Sequence, residues 1–305
     1  MNIAAITITY NDDYKFEEWC NHYLEYEDEL YLHIIIDNNS TEEYYDKVKT
    51  FFTDSVIIRR SSNGGCTYAY NEGIEMALAD EKVDAIMLIG NDMKLDKGMT
   101  THLCDFLFSD EEYGMVEPVI LAKDSDLIED FGCKISYTLI MRPLNYGEHL
   151  FSVPDSFHIV ETVTGGMNLA KRKFYEEVGI QDEKLFMYSD EVDMGIRAAK
   201  KGFKIAATKT AVAWHQHINP KGGVSRLPYT SYLMGRNKVY LARKHFGFWR
   251  SLNQFIYHCF LFLKGVVKHM GDKEGLIHQC YFMRGSYNGF VGNMGLSGII
   301  QDFAG

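Results

Sequence analysis

The stretch that decides the fold is NIAAITITY, residues 2–10, a continuous run of mostly apolar and β-branched residues. Such a run predicts a strand buried on both faces, because a half-buried strand would alternate polar and apolar residues. It ends in the polar turn Tyr10-Asn11-Asp12-Asp13, after which the spacing of Phe16, Trp19 and Tyr23 predicts an amphipathic helix. The chain thus opens with the order strand, polar turn, helix.

The same order repeats three times in the next 80 residues. Apolar runs at residues 31–36, 55–60 and 85–89 end in Asp37-Asn38-Asn39-Ser40, Ser61-Ser62-Asn63-Gly64-Gly65 and Gly90-Asn91-Asp92. This alternation predicts an α/β fold, an open and mostly parallel sheet with helices on both faces. Ligands of such sheets bind beyond the carboxyl ends of the strands. We therefore expect the four polar turns to converge on one crevice.

The rest of the sequence predicts further strands, followed by a helical region. Strands are expected at residues 114–121, 135–141, 204–207 and 211–214, and residues 163–169 suit a strand or a loop. From Pro228 onward the pattern is helical. Pro220-Lys221-Gly222-Gly223 marks the expected boundary between an α/β domain, residues 1–220, and a C-terminal helical region, residues 221–305.

Composition narrows the class of protein. The chain has 305 residues, 46% of them hydrophobic, and a formal net charge of −11, which argues against a nucleic-acid partner. Its six cysteines have no zinc-type spacing, and no signal peptide or membrane-spanning run is visible. We expect a cytoplasmic protein, with peripheral contact to the inner face of the cell membrane as a further option. That option comes from the aromatic, basic segment 240–267, which also suits core packing or an oligomer interface.

One acidic cluster stands out, Tyr188-Ser189-Asp190-Glu191-Val192-Asp193. The residues after it, 192–201, predict a helix that Gly202 ends. Carboxylates are stabilised near a helix N-terminus, so the cluster is either a plain helix cap or a place where an Asp or Glu can act as a base.

The strand-end turns carry hydroxyl, amide and carboxylate groups. Amide and carboxylate groups can bind a nucleobase and ribose, or they can simply close Asx-turns. Asp92 is a lone carboxylate that suits a hard divalent cation whose remaining ligands are phosphate oxygens. His215 and His217 follow a strand and alternate, so only one can face the crevice. Neither GxGxxG after the first strand nor GxxxxGK[ST] is present, which excludes the usual dinucleotide and P-loop sites.

Taken together, the motifs form an ordered and characteristically spaced series along the chain. In chain order they are Thr9-Tyr10-Asn11, Asp37-Asn38-Asn39-Ser40, Asn63-Gly64-Gly65, Asn71-Glu72-Gly73, Leu88-Ile89-Gly90-Asn91-Asp92, Thr164-Gly165-Gly166, Phe186-Met187-Tyr188-Ser189-Asp190-Glu191-Val192-Asp193 with Arg197, Ala213-Trp214-His215, Arg236-Asn237 and Arg284-Gly285 to Gly292. This series resembles the family 2 glycosyltransferases of GT-A fold, in particular a bacterial branch of rhamnosyltransferases and galactofuranosyltransferases.

The resemblance implies a role for each matching residue. Donor-binding residues would be Thr9, Tyr10, Asn11, Asp37, Asn38, Asn63, Gly65, Asn71, Asn91, Gly165 and Gly166. Asp92 and His215 would bind Mg²⁺ or Mn²⁺. Glu191 would be the catalytic base, with Asp190 in reserve and Asp193 steadying the helix start. Two departures matter: Gly90-Asn91-Asp92 lacks the first carboxylate of the family's metal motif, and Asp190-Glu191 differs from the usual Glu-Asp or Asp-Asp order.

The implied activity is inverting transfer of a sugar from a nucleoside-diphosphate donor to a hydroxyl of a glycan or lipid-linked glycan acceptor. The donor would be dTDP-rhamnose or a UDP-hexose such as UDP-galactofuranose, in cell-surface glycan synthesis. Homo-oligomerisation through the C-terminal helices is a further expectation. A different class of function also fits, a catalytically weak subunit that binds a sugar nucleotide within a glycan assembly complex.

Overall fold

A computed structural model of the chain describes residues 1–216 and 228–295. The strands are β1 (Ile3–Thr9), β2 (Leu32–Asp37), β3 (Val56–Arg59), β4 (Ala85–Ile89), β5 (Met93–Leu95), β6 (Tyr113–Ala122), β7 (Ile128–Asp130), β8 (Cys133–Ile135), β9 (Met141–Pro143), β10 (Phe157–Val160), β11 (Met167–Lys171) and β12 (Lys204–His215). The helices are α1 (Phe16–Tyr23), α2 (Glu42–Phe51), α3 (Gly65–Ala79), α4 (Met99–Phe108), α5 (Arg172–Val178), α6 (Asp190–Lys200), α7 (Pro228–Phe246), α8 (Phe248–Lys268) and α9 (Lys273–Val291).

The large sheet is mixed but has a parallel half. Its order is β10-β12-β6-β11-β4-β1-β2-β3, with β5 added to β12 and β7 to β6. Strands β4, β1, β2 and β3 are all parallel, so their carboxyl ends lie along one edge. Strand β11 runs antiparallel to both β4 and β6. The predicted open, mostly parallel α/β sheet is confirmed.

Both faces of the sheet are covered. Alternate residues of β1 enter different cores: Ala5 packs with Trp19 and Tyr44 of α1 and α2, whereas Ile6 packs with Ile74 of α3. A strand buried on both faces is mostly apolar, which accounts for the run at residues 2–10, and its buried Thr7 is hydrogen-bonded to His33.

The backbone packs as two compact units. The first contains described residues 1–135, 141–181 and 194–216, and the second contains 136–140, 182–193 and 228–295. Helix α6 therefore begins in the second unit and ends in the first. The second unit holds α7, α8 and α9, in agreement with the predicted C-terminal helical appendage.

Close helix contact within the second unit depends on glycine. A Cβ atom at Gly285 of α9 would overlap the carbonyl oxygen of Tyr232 in α7, and one at Gly289 would overlap that of Arg236. Because these neighbours are backbone atoms, they cannot rotate away. Only glycine permits the observed approach of α9 to α7.

Several predicted elements differ from the observed ones. The strand predicted at 135–141 is wrong: β8 and β9 form a hairpin, and Leu139, at φ 56°, lies in its turn. The two short strands predicted at 204–207 and 211–214 are one strand, β12, whose register slips between Thr208 and Val212. The polar Thr-Lys-Thr sequence at this irregularity had the pattern of a turn. The predicted boundary at Pro220-Lys221-Gly222-Gly223 and the candidate His217 lie outside the described residues.

No helix in the described part of the chain is both long and apolar enough to cross a membrane.

We expect Gly285→Ala to destabilise the second unit by about 2–4 kcal/mol, because α9 must move away from α7 to relieve the overlap. Thermal unfolding followed by circular dichroism would measure the loss. Cys280→Ala, an exposed position on the same helix, is the matched control and should stay within about 0.5 kcal/mol of the unmodified protein. Equal stability of the two variants would contradict the packing argument.

Candidate functional site

The carboxyl ends of β1, β2 and β4 bring the first group of predicted residues together. Thr9 pairs in register with Asp37, and the Asn38 amide donates to the Thr9 carbonyl at 2.9 Å. The Asn91 side chain donates to Asp12 at 2.8 Å, and Asp12 also accepts from the backbone amide of Tyr10 at 3.2 Å. The expected convergence of these strand-end turns is therefore observed within the first unit.

A network of amides joins the end of β2 to the start of α3. Asn38 Nδ2 donates to Asn63 Oδ1 at 2.9 Å, and Asn38 Oδ1 accepts from the Gly64 amide at 3.1 Å. Asn63 Oδ1 also accepts from the Gly65 amide at 2.9 Å, and Gly65 has φ +80°. The left-handed backbone explains why glycine follows the polar turn here. The network fixes the loop that precedes α3.

Two of the predicted residues brace the neighbouring turn. Asn11, at φ 51°, accepts from the Thr41 amide at 2.8 Å, and its own amide donates to Ser40 Oγ at 3.0 Å. Asp37 is fully buried and accepts from the Ser40 amide at 3.2 Å. Tyr10 is half-buried and Asn11 is exposed, so these two side chains are open to a ligand while Asp37 holds the turn from below.

Asn71 also braces backbone. Its side chain donates to the Gln181 carbonyl at 2.9 Å and accepts from the Gln181 amide at 2.8 Å. Both polar atoms of the Asn71 amide thus hold the segment that follows α5. A ligand-shaping role for Asn71 would act through that segment.

Asp92 lies in a cluster of charges. Its Oδ2 is 3.5 Å from Lys15 Nζ and 3.7 Å from His215 Nε2, while His215 Nδ1 is 3.1 Å from Glu129 Oε1. The pairing of β5 with β12 explains the proximity of His215, since it sets His215 opposite Met93. Burial lowers the pKa of His215, but hydrogen bonds to Asp92 and Glu129 outweigh it and raise the pKa to about 9. Asp92 therefore has two cationic neighbours at neutral pH.

Gly90 stands where the family's metal motif has its first carboxylate, and it lies close to Asp92. A Cβ atom at Gly90 would lie 2.8 Å from Asp92 Oδ1, so a side chain there would displace the carboxylate. The Gly90 amide donates to the Gly166 carbonyl at 2.9 Å. This bond ties the Asp92 turn to Gly165-Gly166.

Two buried acids support that glycine pair. Glu117 Oε2 accepts from the Thr164 amide at 3.1 Å, and Asp130 bonds to the Thr164 side chain. Burial raises the pKa of Glu117 well above its usual range, with a smaller contribution from Asp130, whose own pKa burial raises to about 6. Gly165 is exposed and Gly166 half-buried, so the loop faces solvent on a rigid base.

The residues around Asp92 fit a divalent cation only in part. Among the described residues there is no group of three or more His, Cys, Asp or Glu side chains that could hold a metal ion. Asp92 Oδ2 and His215 Nε2, 3.7 Å apart, could supply two ligands once His215 releases the proton that its raised pKa retains at neutral pH, and phosphate and water oxygens would supply the rest. The donor set thus fits a cation that binds together with a diphosphate.

The acidic cluster of the second unit follows a strained turn. Phe186, Tyr188 and Ser189 all have φ between 65° and 67°, a backbone region that residues other than glycine rarely adopt. Asn237 Nδ2, on α7, donates to the carbonyls of Leu185, Met187 and Tyr188 at 2.8–3.1 Å. These bonds offset the cost of the turn.

Arg236 extends this clamp. It is fully buried on α7 and donates to the carbonyls of Lys184 and Leu185 at 3.0 and 2.8 Å. Its Nε also donates to Asn237 Oδ1 at 3.0 Å, which orients the Asn237 amide. The Arg236-Asn237 motif thus fixes the backbone that precedes Asp190.

The three acids at the start of α6 have different surroundings. Asp193 is fully buried between His245 Nε2 at 2.7 Å and Lys244 Nζ at 2.6 Å, which suits a residue that anchors the helix. Burial raises the pKa of Asp190 to about 6. Burial and the neighbouring Asp190 raise the pKa of Glu191 well above its usual range. Glu191 is the less buried of the pair, which favours it as the accessible base, whereas the lower pKa favours Asp190 as the ionised one.

Sequence reasoning missed several contributors to these clusters: Asp12, Lys15, Glu117, Glu129, Asp130, Lys244 and His245. Lys15 was foreseeable, because it lies five residues beyond the end of a strand whose turn was already singled out. The pairs Glu129 to His215 and His245 to Asp193 join positions more than 50 residues apart and have no local sequence signal.

The family is established by comparison with known proteins. The model of the family "Glycosyl transferase family 2" matches residues 4–179, more than half of the chain. The protein therefore belongs to glycosyl transferase family 2, and the resemblance inferred from its motifs is confirmed.

Individual relatives are distant. An N-acetylglucosaminyl-diphospho-decaprenol L-rhamnosyltransferase of Mycobacterium tuberculosis is 33% identical over 92 residues, 29% of each chain. The chain therefore matches less than a third of that relative. GalNAc-T7 solved with UDP, GalNAc and Mn²⁺ has a TM-score of 0.61 at 12% identity, over 80% of this chain and 48% of that one. The mannosyltransferase PcManGT of Pyrobaculum calidifontis, solved with GDP-Man and Mn²⁺, has a TM-score of 0.56 at 13% identity, over 94% and 86%. These likenesses confirm the GT-A-type fold.

We expect Lys15→Met to bind Mn²⁺ more tightly than the unmodified protein in the absence of a donor. The Lys15 ammonium lies 3.5 Å from Asp92 and would repel a cation bound there by about 1 kcal/mol. Removing this repulsion corresponds to roughly fivefold in Mn²⁺ affinity. Titration calorimetry with MnCl₂ would measure it. Lys173→Met, which removes a lysine paired with Glu177 on α5, is the control and should change nothing. Weaker Mn²⁺ binding by the Lys15 variant would exclude competition between the lysine and the cation.

Proposed function

We propose that the protein is an inverting glycosyltransferase that uses a nucleoside-diphosphate sugar. The observation that carries the proposal is the cluster at the strand ends, in which Asp92 lies between Lys15 and His215 beside the Gly165-Gly166 loop. Lys15 and His215 lie among the carboxylates of Asp12, Asp92 and Glu129, and this mixed charge suits a divalent cation that binds together with a diphosphate leaving group. Family membership supports the same class of reaction.

Donor binding is assigned to the first unit. The half-buried or exposed groups Tyr10, Asn11, Asn63 and Gly165 would contact the nucleotide directly. The buried residues hold those groups in place: Thr9, Asp37, Asn38, Gly65, Asn71 and Asn91. A site built from rigid strand ends loses little entropy on binding, which favours affinity.

A divalent cation, Mg²⁺ or Mn²⁺, would be held by Asp92 and His215 with the donor's phosphates. When bound, it would neutralise charge on the leaving diphosphate. Lys15 offers a second, permanent positive charge at the same carboxylate. The cation requirement should therefore be tied to the donor.

Proton removal is assigned to the acidic pair. In the proposed step an acceptor hydroxyl oxygen forms a bond to the anomeric carbon as the bond from that carbon to the phosphate oxygen breaks. The hydroxyl proton passes to Glu191, or to Asp190 if that carboxylate is the ionised one, and the nucleoside diphosphate leaves. Asp193 anchors the helix start through Lys244 and His245. A single displacement of this kind inverts the anomeric configuration.

The substrates follow from chemistry and from relatives. The rhamnosyltransferase relative favours dTDP-rhamnose as donor, and a UDP-hexose, including UDP-galactofuranose, is the alternative. The acceptor would be a hydroxyl of a polysaccharide or of a lipid-linked glycan in cell-surface glycan synthesis. A catalytically weak subunit that only binds the sugar nucleotide is the second candidate. It is favoured because only two protein ligands for a metal ion, Asp92 and His215, are found together among the described residues.

The deciding experiment measures chemistry directly. We would screen UDP- and dTDP-sugars with Mn²⁺ for thermal stabilisation, and then follow slow hydrolysis of each stabilising donor to free nucleoside diphosphate. Glu191→Gln should retain the stabilisation and lose roughly 10²–10⁴-fold in turnover, because the base is removed while the donor site is kept. Glu183→Gln, an exposed carboxylate of the same unit, is the control and should keep full activity.

Other outcomes separate the alternatives. Full turnover by Glu191→Gln together with loss by Asp190→Asn would move the base to Asp190. Stabilisation by a donor that is never hydrolysed or transferred would favour the binding subunit. No stabilisation by any sugar nucleotide would contradict the proposed function.

The pH dependence follows from the raised pKa values of the acidic pair. A base acts only when ionised, so kcat/KM should fall as the pH drops through a midpoint of about 6 or higher. An ordinary exposed carboxyl would give a midpoint near 4. Initial rates between pH 5 and 9 would locate this limb, and a rate that stays constant down to pH 5 would contradict the assignment.

A further inference from the structure

Helix α8 turns its polar side inward. Its buried residues are Ser251, Gln254 and His258, each at most 2% exposed. Ser251 Oγ donates to the Val239 carbonyl of α7 at 3.1 Å, and His258 bonds to Gln254 and to Ser286 of α9, both at 2.8 Å. The fully buried residues of α8 are thus held by hydrogen bonds, and ring contacts such as Phe255 with Phe290 of α9 lie beside them.

The opposite side of α8 is apolar and exposed. Its outward residues, with their exposed fractions, are Trp249 75%, Ile256 57%, Phe260 62%, Leu263 63% and Val267 69%. Their spacing of seven, four, three and four residues places them on one stripe of a helix with 3.6 residues per turn. A helix on a water-facing surface has the reverse arrangement, with the apolar stripe inside. An exposed apolar stripe of this kind suits contact with an apolar partner or surface.

The charges beside the stripe have one sign. No Asp or Glu occurs between residues 228 and 271, in a chain whose formal net charge is −11. Lys264 and Lys268 are exposed and lie one helical turn apart on the flank of the stripe, and Arg250 lies on the same flank. An apolar stripe edged by cations matches a surface with an apolar interior and anionic headgroups.

We propose that the outward stripe of α8 docks on the surface of an anionic lipid bilayer, with the helix in the plane of the headgroups. The apolar side chains would enter the acyl boundary while Lys264 and Lys268 contact the headgroups. A second copy of the chain suits the stripe less well, because the exposed lysines at the edge of each copy would add repulsion with no acid on the same segment to offset it.

The inference deepens the proposed function, since a bilayer surface is where a lipid-linked acceptor would be found. Lipid binding is measured without donor or acceptor, however. If the protein transfers no sugar, the lipid-docking inference is still tested by vesicle binding. If the protein does not bind lipid, the proposed transferase activity is unaffected.

Trp249 provides an intrinsic probe. The chain has three tryptophans; Trp19 is buried, Trp214 is half-buried, and Trp249 is exposed. We expect vesicles of phosphatidylglycerol and phosphatidylethanolamine to shift the emission to shorter wavelength by roughly 5–15 nm, as Trp249 leaves water. Trp249→Phe should abolish the shift, and vesicles of phosphatidylcholine alone should produce a much smaller one.

Co-sedimentation with the same vesicles tests the two halves of the surface. Phe260→Ser combined with Leu263→Ser should lower the vesicle partition coefficient at least tenfold. Phe151→Ser, which changes an exposed aromatic residue of the first unit, should leave the partition coefficient unchanged. Lys264→Gln with Lys268→Gln should weaken binding to anionic vesicles and leave binding to neutral ones unchanged. The changed residues are all exposed, and circular dichroism would verify that each variant is folded.

Two results would overturn the inference. The unmodified protein could stay in solution at every anionic vesicle concentration. Alternatively, it could be a dimer by light scattering that dissociates in the Phe260→Ser, Leu263→Ser variant, which would assign the stripe to a second copy.

Discussion

The burial of β1 and its parallel neighbours on both faces is the constraint on which the functional architecture depends. A strand covered by helices on each side admits a polar side chain only where a partner satisfies it, as Thr7 and His33 satisfy each other, so β1, β2 and β4 are mostly apolar. The polar groups that can reach a ligand therefore lie where these strands end. Parallel pairing places the carboxyl ends of these strands at one edge of the sheet. Thr9, Asn38, Asn91 and Asp92 lie at or just beyond that edge.

The partly buried Asp92 and the fully buried Asp193 each lie close to basic side chains. Asp92 has cationic partners in Lys15 and His215, and Asp193 lies between the Lys244 ammonium and the His245 ring. Removing one partner from such a pair leaves an uncompensated charge, which costs more than the pair contributes. Asp190 and Glu191, by contrast, have each other as neighbours, and their raised pKa values reflect that like-charge pairing together with burial. Asp92 and Asp193 lie beside lysine and histidine side chains, whereas Asp190 and Glu191, whose pKa values are raised, hold a proton more tightly than an exposed carboxyl does.

The sequence predicted the parallel half of the sheet well because buried strands leave an unmistakable apolar signal. It failed where local pattern and tertiary pairing disagree. Lys209 and Thr210 have the composition of a turn but lie within β12, since pairing with β6 on either side of the irregularity keeps the strand intact. The acidic cluster was located, yet its partners were not, because His245 and Asn237 lie about 50 residues away and reach it only through the packing of α7. The reversed polarity of α8 escaped detection because periodicity identifies a stripe without saying which way it points.

Helix α7 makes hydrogen bonds both to the turn before Asp190 and to helix α8. Asn237 holds the strained turn before Asp190, while the Val239 carbonyl, two residues further on, receives the hydrogen bond from Ser251 of α8. Hydrogen bonds to one helix, α7, thus connect α8, with its exposed apolar stripe, to the turn that precedes Asp190 and Glu191. The orientation of these two carboxylates therefore depends on a helix that also supports the apolar surface of the same unit.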